Sequence, residues 1–82
     1  MPRATLHPKP MTARITLEDI ADCRYMADTC HAIATRFDGM ASRWRSMGDA
    51  HEAGACKDAA SLHHAQAVRW EWEANNMQET IA

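Results

Sequence analysis

Two stripes of small and apolar residues run through the chain at heptad spacing. The second half carries Ala53, Cys56, Ala60, His63, Ala67, Trp70, Ala74, Met77 and Ile81, separated alternately by three and four residues. The first half carries Ile20, Cys23, Ala27, Cys30, Ala34, Phe37, Ala41 and Trp44 in the same rhythm. This is the pattern of a helix that buries one seam along its length. In both stripes Ala returns every seventh residue and larger side chains stand between. The expected fold is all-α: an antiparallel two-helix hairpin preceded by an extended N-terminal arm.

Local signals place the boundaries. Thr16 is a good N-cap with Asp19 at the third helical position, a variant of the capping box. Ile15 before the cap and Ile20 at the fourth helical position suit a hydrophobic staple. Glu18, Asp19 and Asp22 complement the positive end of the helix dipole, and Arg43 and Arg45 its negative end. Gly48 reads as the stop, since a helix commonly ends on a residue in the left-handed region. Asp49 reads as the next N-cap, with Glu52 expected to complete a second capping box. The spacing therefore predicts an arm over 1–15 and a hairpin over 16–82: a helix over about 17–47, a turn at 48–49, and a helix over about 50–79. A turn this short makes the helices antiparallel neighbours. The stripe stays in phase across Gly39, which favours one helix there over two shorter ones broken at Asp38-Gly39.

Helix one has a second seam beside the first: Met26, Ile33, Met40 and Met47, each seven residues apart. One facing helix cannot cover both seams, so helix one should touch more than one helix. Composition leads to the same expectation. Sixteen of 82 residues are Ala and six are Met. Ala favours helix and lets two backbones approach closely, but contributes little buried area. Trp, Phe and Met are expected to fill the layers between. A core this thin calls for apolar surface from elsewhere, so a homodimer forming a four-helix bundle, or a higher oligomer, is expected. The Ala repeat resembles the close antiparallel packing called an Ala-coil, a packing motif that carries no function.

Charge narrows the function classes. The formal net charge is −2. Arg3, Lys9 and Arg14 make the first 15 residues +3, which leaves −5 on the remainder. Direct nucleic-acid binding is therefore not expected. An acidic body can instead mimic nucleic acid toward a basic groove, through Glu52, Asp58, Glu71 and Glu73 with Asp22, Asp28 and Asp38. No apolar run reaches the roughly 20 residues of a membrane span. Pro2, Pro8 and Pro10 interrupt any signal-peptide core. A cytosolic location is the expectation.

Candidate chemistry is sparse. His63 and His64 are adjacent, project about 100° apart, and cannot serve one metal from a regular helix. Cys30 and His63 give two ligands across the hairpin, where zinc wants three or four. Cys23, Cys30 and Cys56 lie on the seams and read as small buried hydrophobes. A P-loop, a dinucleotide fingerprint and paired catalytic carboxylates are missing. The expectation is no catalytic residue, no metal and no cofactor.

Two candidate sites remain. On helix two, Ala65, Val68 and Trp72 form an apolar patch away from the seam. With Arg69, Glu71 and Glu73 they make the expected protein-docking set, because an exposed Trp beside Arg is a common hot-spot pairing. On helix one, Tyr25, Arg36 and Arg43 share a sector in which the arginines can take an anion such as a nucleotide phosphate. The first reading is a small helical module that binds itself and another protein, of the kind that inhibits a host complex and is encoded by phages or mobile elements. The second is an oligomeric binder of a small anionic ligand.

Overall fold

The computed structural model describes residues 14–81. The basic arm expected over residues 1–15 lies outside the described residues except for Arg14 and Ile15. Two helices make up the fold: α1, Leu17–Ser46, and α2, Ala50–Ile81. They pack along each other as an all-α antiparallel hairpin. Gly39 lies within α1, which continues through it.

The start of α1 forms as its sequence dictates. The Asp19 backbone N–H donates to Thr16 Oγ1 at 3.1 Å, and the Thr16 N–H donates to Asp19 Oδ2 at 2.9 Å. Ile15 packs against the cluster that contains Ile20. Both orphan donors and the entry of the chain are thereby fixed.

The turn is a Schellman closure. Gly48 stands at φ 81, the Gly48 N–H donates to Arg45 O at 3.0 Å, and the Asp49 N–H donates to Trp44 O at 3.0 Å. This is the pair of bonds that satisfies the last carbonyls of a helix and needs a left-handed residue, which glycine supplies without a Cβ penalty. The closure also corrects the second capping box. Asp49 Oδ1 does accept from the Glu52 N–H at 3.0 Å. The reciprocal bond from Asp49 N–H to Glu52 is not made, because that donor is already spent on Trp44 O. One peptide group thus ends α1 while the side chain of the same residue starts α2.

The seam is narrower than the stripes imply. Ile20, Cys23, Ala27, Cys30, Ala34 and Ala41 of α1 and Ala53, Cys56, Ala60, Ala67 and Ala74 of α2 are buried. Among the described residues no large side chain is fully buried. Phe37, Trp44, His63, Trp70 and Met77 are only half-buried. The expectation that Trp, Phe and Met fill the layers between the helices is therefore corrected. Alanine holds two helix backbones near the short end of the usual 8–10 Å range. At that distance the space on the axis of contact takes a methyl or a thiol, and a ring must lean out to the side.

All of these larger groups lean to the same side. Helical phase puts Phe37 and Trp44 on the α1 edge that also carries Met26, Ile33 and Met40, and puts His63, Trp70 and Met77 on the facing edge of α2. Phe37 and His63 stack across it, with ring centroids 5.6 Å apart and planes inclined by 24°. His63 Nδ1 donates to the Ala59 carbonyl at 2.9 Å, so its polar atom is satisfied within its own helix.

The opposite edge of the hairpin is polar. Arg24 donates to Asn75 Oδ1 at 3.5 Å, and His31 Nε2 donates to Glu71 Oε2 at 3.2 Å. Asp38 accepts from Lys57 Nζ at 3.0 Å and from His64 Nε2 at 3.4 Å. These pairs join residues far apart in sequence at three levels along the hairpin. They hold one axial register between helices whose Ala contacts alone would slide easily. The hairpin is thus two-sided, with a hydrogen-bonded flank and an apolar one.

Candidate functional site

The apolar positions of α2 that lie away from both the seam and the apolar flank form a ridge on its outer face. Leu62, Ala65, Val68 and Trp72 recur at helical spacing, so their side chains stand in succession along one side. Trp72 is 60 % exposed, and Leu62, Ala65 and Val68 are exposed with it. Trp70, two residues earlier, lies against Ile20, Cys23 and Ala74. Residues two apart cannot share a helix face, so burying Trp70 forces Trp72 outward.

The six docking residues expected from the sequence fall into three sectors. Ala65, Val68 and Trp72 stand together on the outer ridge. Arg69 borders that ridge, and with Glu73 also lines a shallow recess of about 440 Å³ on the apolar flank, whose other walls are Met26, Cys30, Gln66 and Trp70. Glu71 faces the other way and is held by His31 on the polar flank. The structure adds Leu62 to the ridge. Its spacing of three from Ala65 and ten from Trp72 was available in the sequence as the signal for it.

The anion candidates share the outer face of α1. Tyr25, Arg36 and Arg43 are all exposed there, with Arg36 and Arg43 two helical turns apart, about 10 Å. Neither guanidinium has an ion-pair partner among the described residues. The strip is convex, and the recess lies on a different face.

The cysteines lie within the seam. Cys23, Cys30 and Cys56 are buried free thiols. Burial pushes the Cys23 thiol up, and the carboxylates of Glu73, Asp22 and Asp19 push it further. A thiol so placed stays protonated near neutrality and is a poor nucleophile. Among the described residues no three His, Cys, Asp or Glu side chains converge as a metal site. Neither helix is long and apolar enough to cross a membrane.

The polar flank has a pH signature. The hydrogen bond from Lys57, and next that from His64, hold the Asp38 carboxyl below its ordinary range. A carboxylate with a depressed folded-state pKa contributes stability that is complete above the unfolded value of about 3.9 and is lost as pH falls through the folded value. Asp38→Asn is therefore expected to flatten the acid limb of the stability profile below about pH 4, measured by urea melts from pH 6 down to pH 2. Identical acid limbs for the two proteins would remove Asp38 from the register lock.

Comparison with protein-family models, with curated proteins and with solved structures finds no match for this chain.

Proposed function

We propose that the hairpin is a non-catalytic protein-binding module that docks another protein through the outer ridge of α2. The observation that carries this reading is the exposure of Trp72 within an apolar ridge bordered by Arg69. Trp loses few rotamers on binding and brings a large contact area, and Arg adds directional donors. A ridge of this spacing fits a groove on a partner surface by the helix-in-groove mode. Acidic groups elsewhere on the body, among them Asp58 and Glu79 on α2, favour a partner with a basic surround. An inhibitory role toward a host complex is one form this docking can take. Anion capture by Tyr25, Arg36 and Arg43 is less well supported, since that strip offers no concave seat.

A photo-crosslinking residue at position 72 of the full chain, expressed in its own host, tests the reading. The expected result is a discrete adduct with one protein from position 72 and none from position 25 on the outer face of α1. Trp72→Ala is then expected to weaken binding of the identified partner about 30-fold, corresponding to the roughly 2 kcal/mol of a hot-spot Trp. Arg36→Glu is expected to leave that binding unchanged. No adduct from position 72, or a Trp72→Ala affinity equal to wild type, would overturn the assignment.

A further inference from the structure

The apolar flank has no counterpart within the hairpin among the described residues. Its α1 edge carries Met26, Ile33 and Met40 in steps of seven, and Met26 and Met40 are 38 % and 37 % exposed. Phe37, Trp44 and Trp70 lie half-buried behind them. No large side chain among the described residues is fully buried elsewhere to compensate. We infer that a second copy of this chain covers this flank, packing α1 antiparallel against the other α1 about a two-fold axis at Ile33, so that two hairpins close a four-helix bundle.

Three observations choose this occupant and this arrangement. The first is area. A helix of 30 residues is about 45 Å long, and two helices side by side are about 20 Å across. The flank therefore offers about 900 Å² per copy, close to the roughly 800 Å² per partner of a standard stable interface.

The second is spacing. Met26 and Met40 lie seven residues to either side of Ile33. A two-fold axis at Ile33 places Met26 of each copy against Met40 of the other. The recess walled by Met26, Cys30 and Trp70 then receives the Met40 side chain of the second copy. Methionine, unbranched and polarisable, fits such an irregular seat.

The third is charge. Asp22 lies four residues before Met26, and Arg43 lies three after Met40, so each is the helical neighbour of one methionine. Pairing Met26 with Met40 brings Asp22 of each copy beside Arg43 of the other, twice per dimer. Neither residue has an ion-pair partner among the described residues. A parallel pairing would place Asp22 beside Asp22 and Arg43 beside Arg43. Antiparallel helices also set opposite dipole ends side by side. Leu62, Ala65, Val68 and Trp72 stay open in this bundle, and Arg69 is the one residue that borders both surfaces.

Sedimentation velocity on the full chain, over a wide concentration range, tests the assembly. The expected species is twice the 9.2 kDa chain mass. Ile33→Arg is expected to return it to monomer at the same concentrations. The single reversals Asp22→Arg and Arg43→Asp are each expected to weaken the dimer about tenfold, since each sets like charges together at two symmetric places. The double variant, with both reversals in one chain, is expected to restore it. A wild-type monomer at all concentrations, a trimer or larger ring, or an Ile33→Arg dimer as tight as wild type would overturn the inference. Single reversals without effect, or a double variant no tighter than the singles, would overturn the two-fold pairing at Ile33 even if Ile33→Arg prevents folding.

Discussion

Replacing Ala34 with Leu is expected to destabilise the hairpin by about 3 kcal/mol, at the upper end of what overpacking a close-packed site costs. Ala34 and Ala67 are both 0 % exposed and belong to the Ala heptads of the two helices. Three added carbons at this position have no cavity to enter. The helices must move apart along much of their length, which loosens the neighbouring Ala contacts and stretches the polar pairs His31–Glu71 and Asp38–Lys57. Urea melts at one fixed protein concentration measure the loss, since any self-association makes stability depend on concentration. Ala32→Leu is the control. Ala32 is exposed, and Leu there is expected to shift stability by less than about 0.5 kcal/mol. If the two variants melt alike, alanine does not set the distance between the helices.

Trp70→Ala is expected to cost about 2 kcal/mol, below the 3–5 kcal/mol of a fully buried Trp because one side of the ring is open. Trp70 covers Ile20, Cys23 and Ala74 at the open end of the hairpin, where Ile15 and Met77 are its companions. No turn ties the helices together at that end. Removing the indole exposes the cluster and leaves the first turns of α1 and the last turns of α2 held by small contacts alone. Hydrogen exchange locates the effect. Amides of residues 17–27 and 70–80 are expected to lose protection, and those beside the turn at Gly48 to keep it. Uniform loss along both helices would mean that the hairpin opens as one unit, with no separate contribution from the Trp70 cluster. Trp72→Ala makes the comparison sharp. It removes the same ring two residues away, from a face the fold leaves exposed, and is expected to leave stability within about 0.5 kcal/mol of wild type.

What the sequence determined by itself is the hairpin. Period, capping residues and a glycine stop are local signals. Each acts within a few residues, and together they specify two helices, their direction and the Ala seam on which they meet. The seam also made the outward turn of Trp72 legible, because residues two apart point to nearly opposite sides of a helix and Trp70 already lies on the seam.

The tertiary structure decided which side of each seam would be wet. Heptad spacing marks a stripe as apolar, but how far Phe37, Trp44, Trp70 and Met77 are buried depends on how close the backbones come. Two alanine helices come too close for rings to lie between them. Glu71 shows the same limit. In sequence it adjoins Trp72 and Arg69 and reads as part of their face. Helical phase places it on the edge that also carries Lys57 and His64, and its partner there is His31, 40 residues away. Which residues meet across a hairpin depends on the axial offset between the helices, which the pairs His31–Glu71 and Asp38–Lys57 hold, and the pattern of one helix alone does not encode that offset. The division into a polar flank and an apolar one, and with it the surface left for a second copy, follows from where the two helices stop sliding.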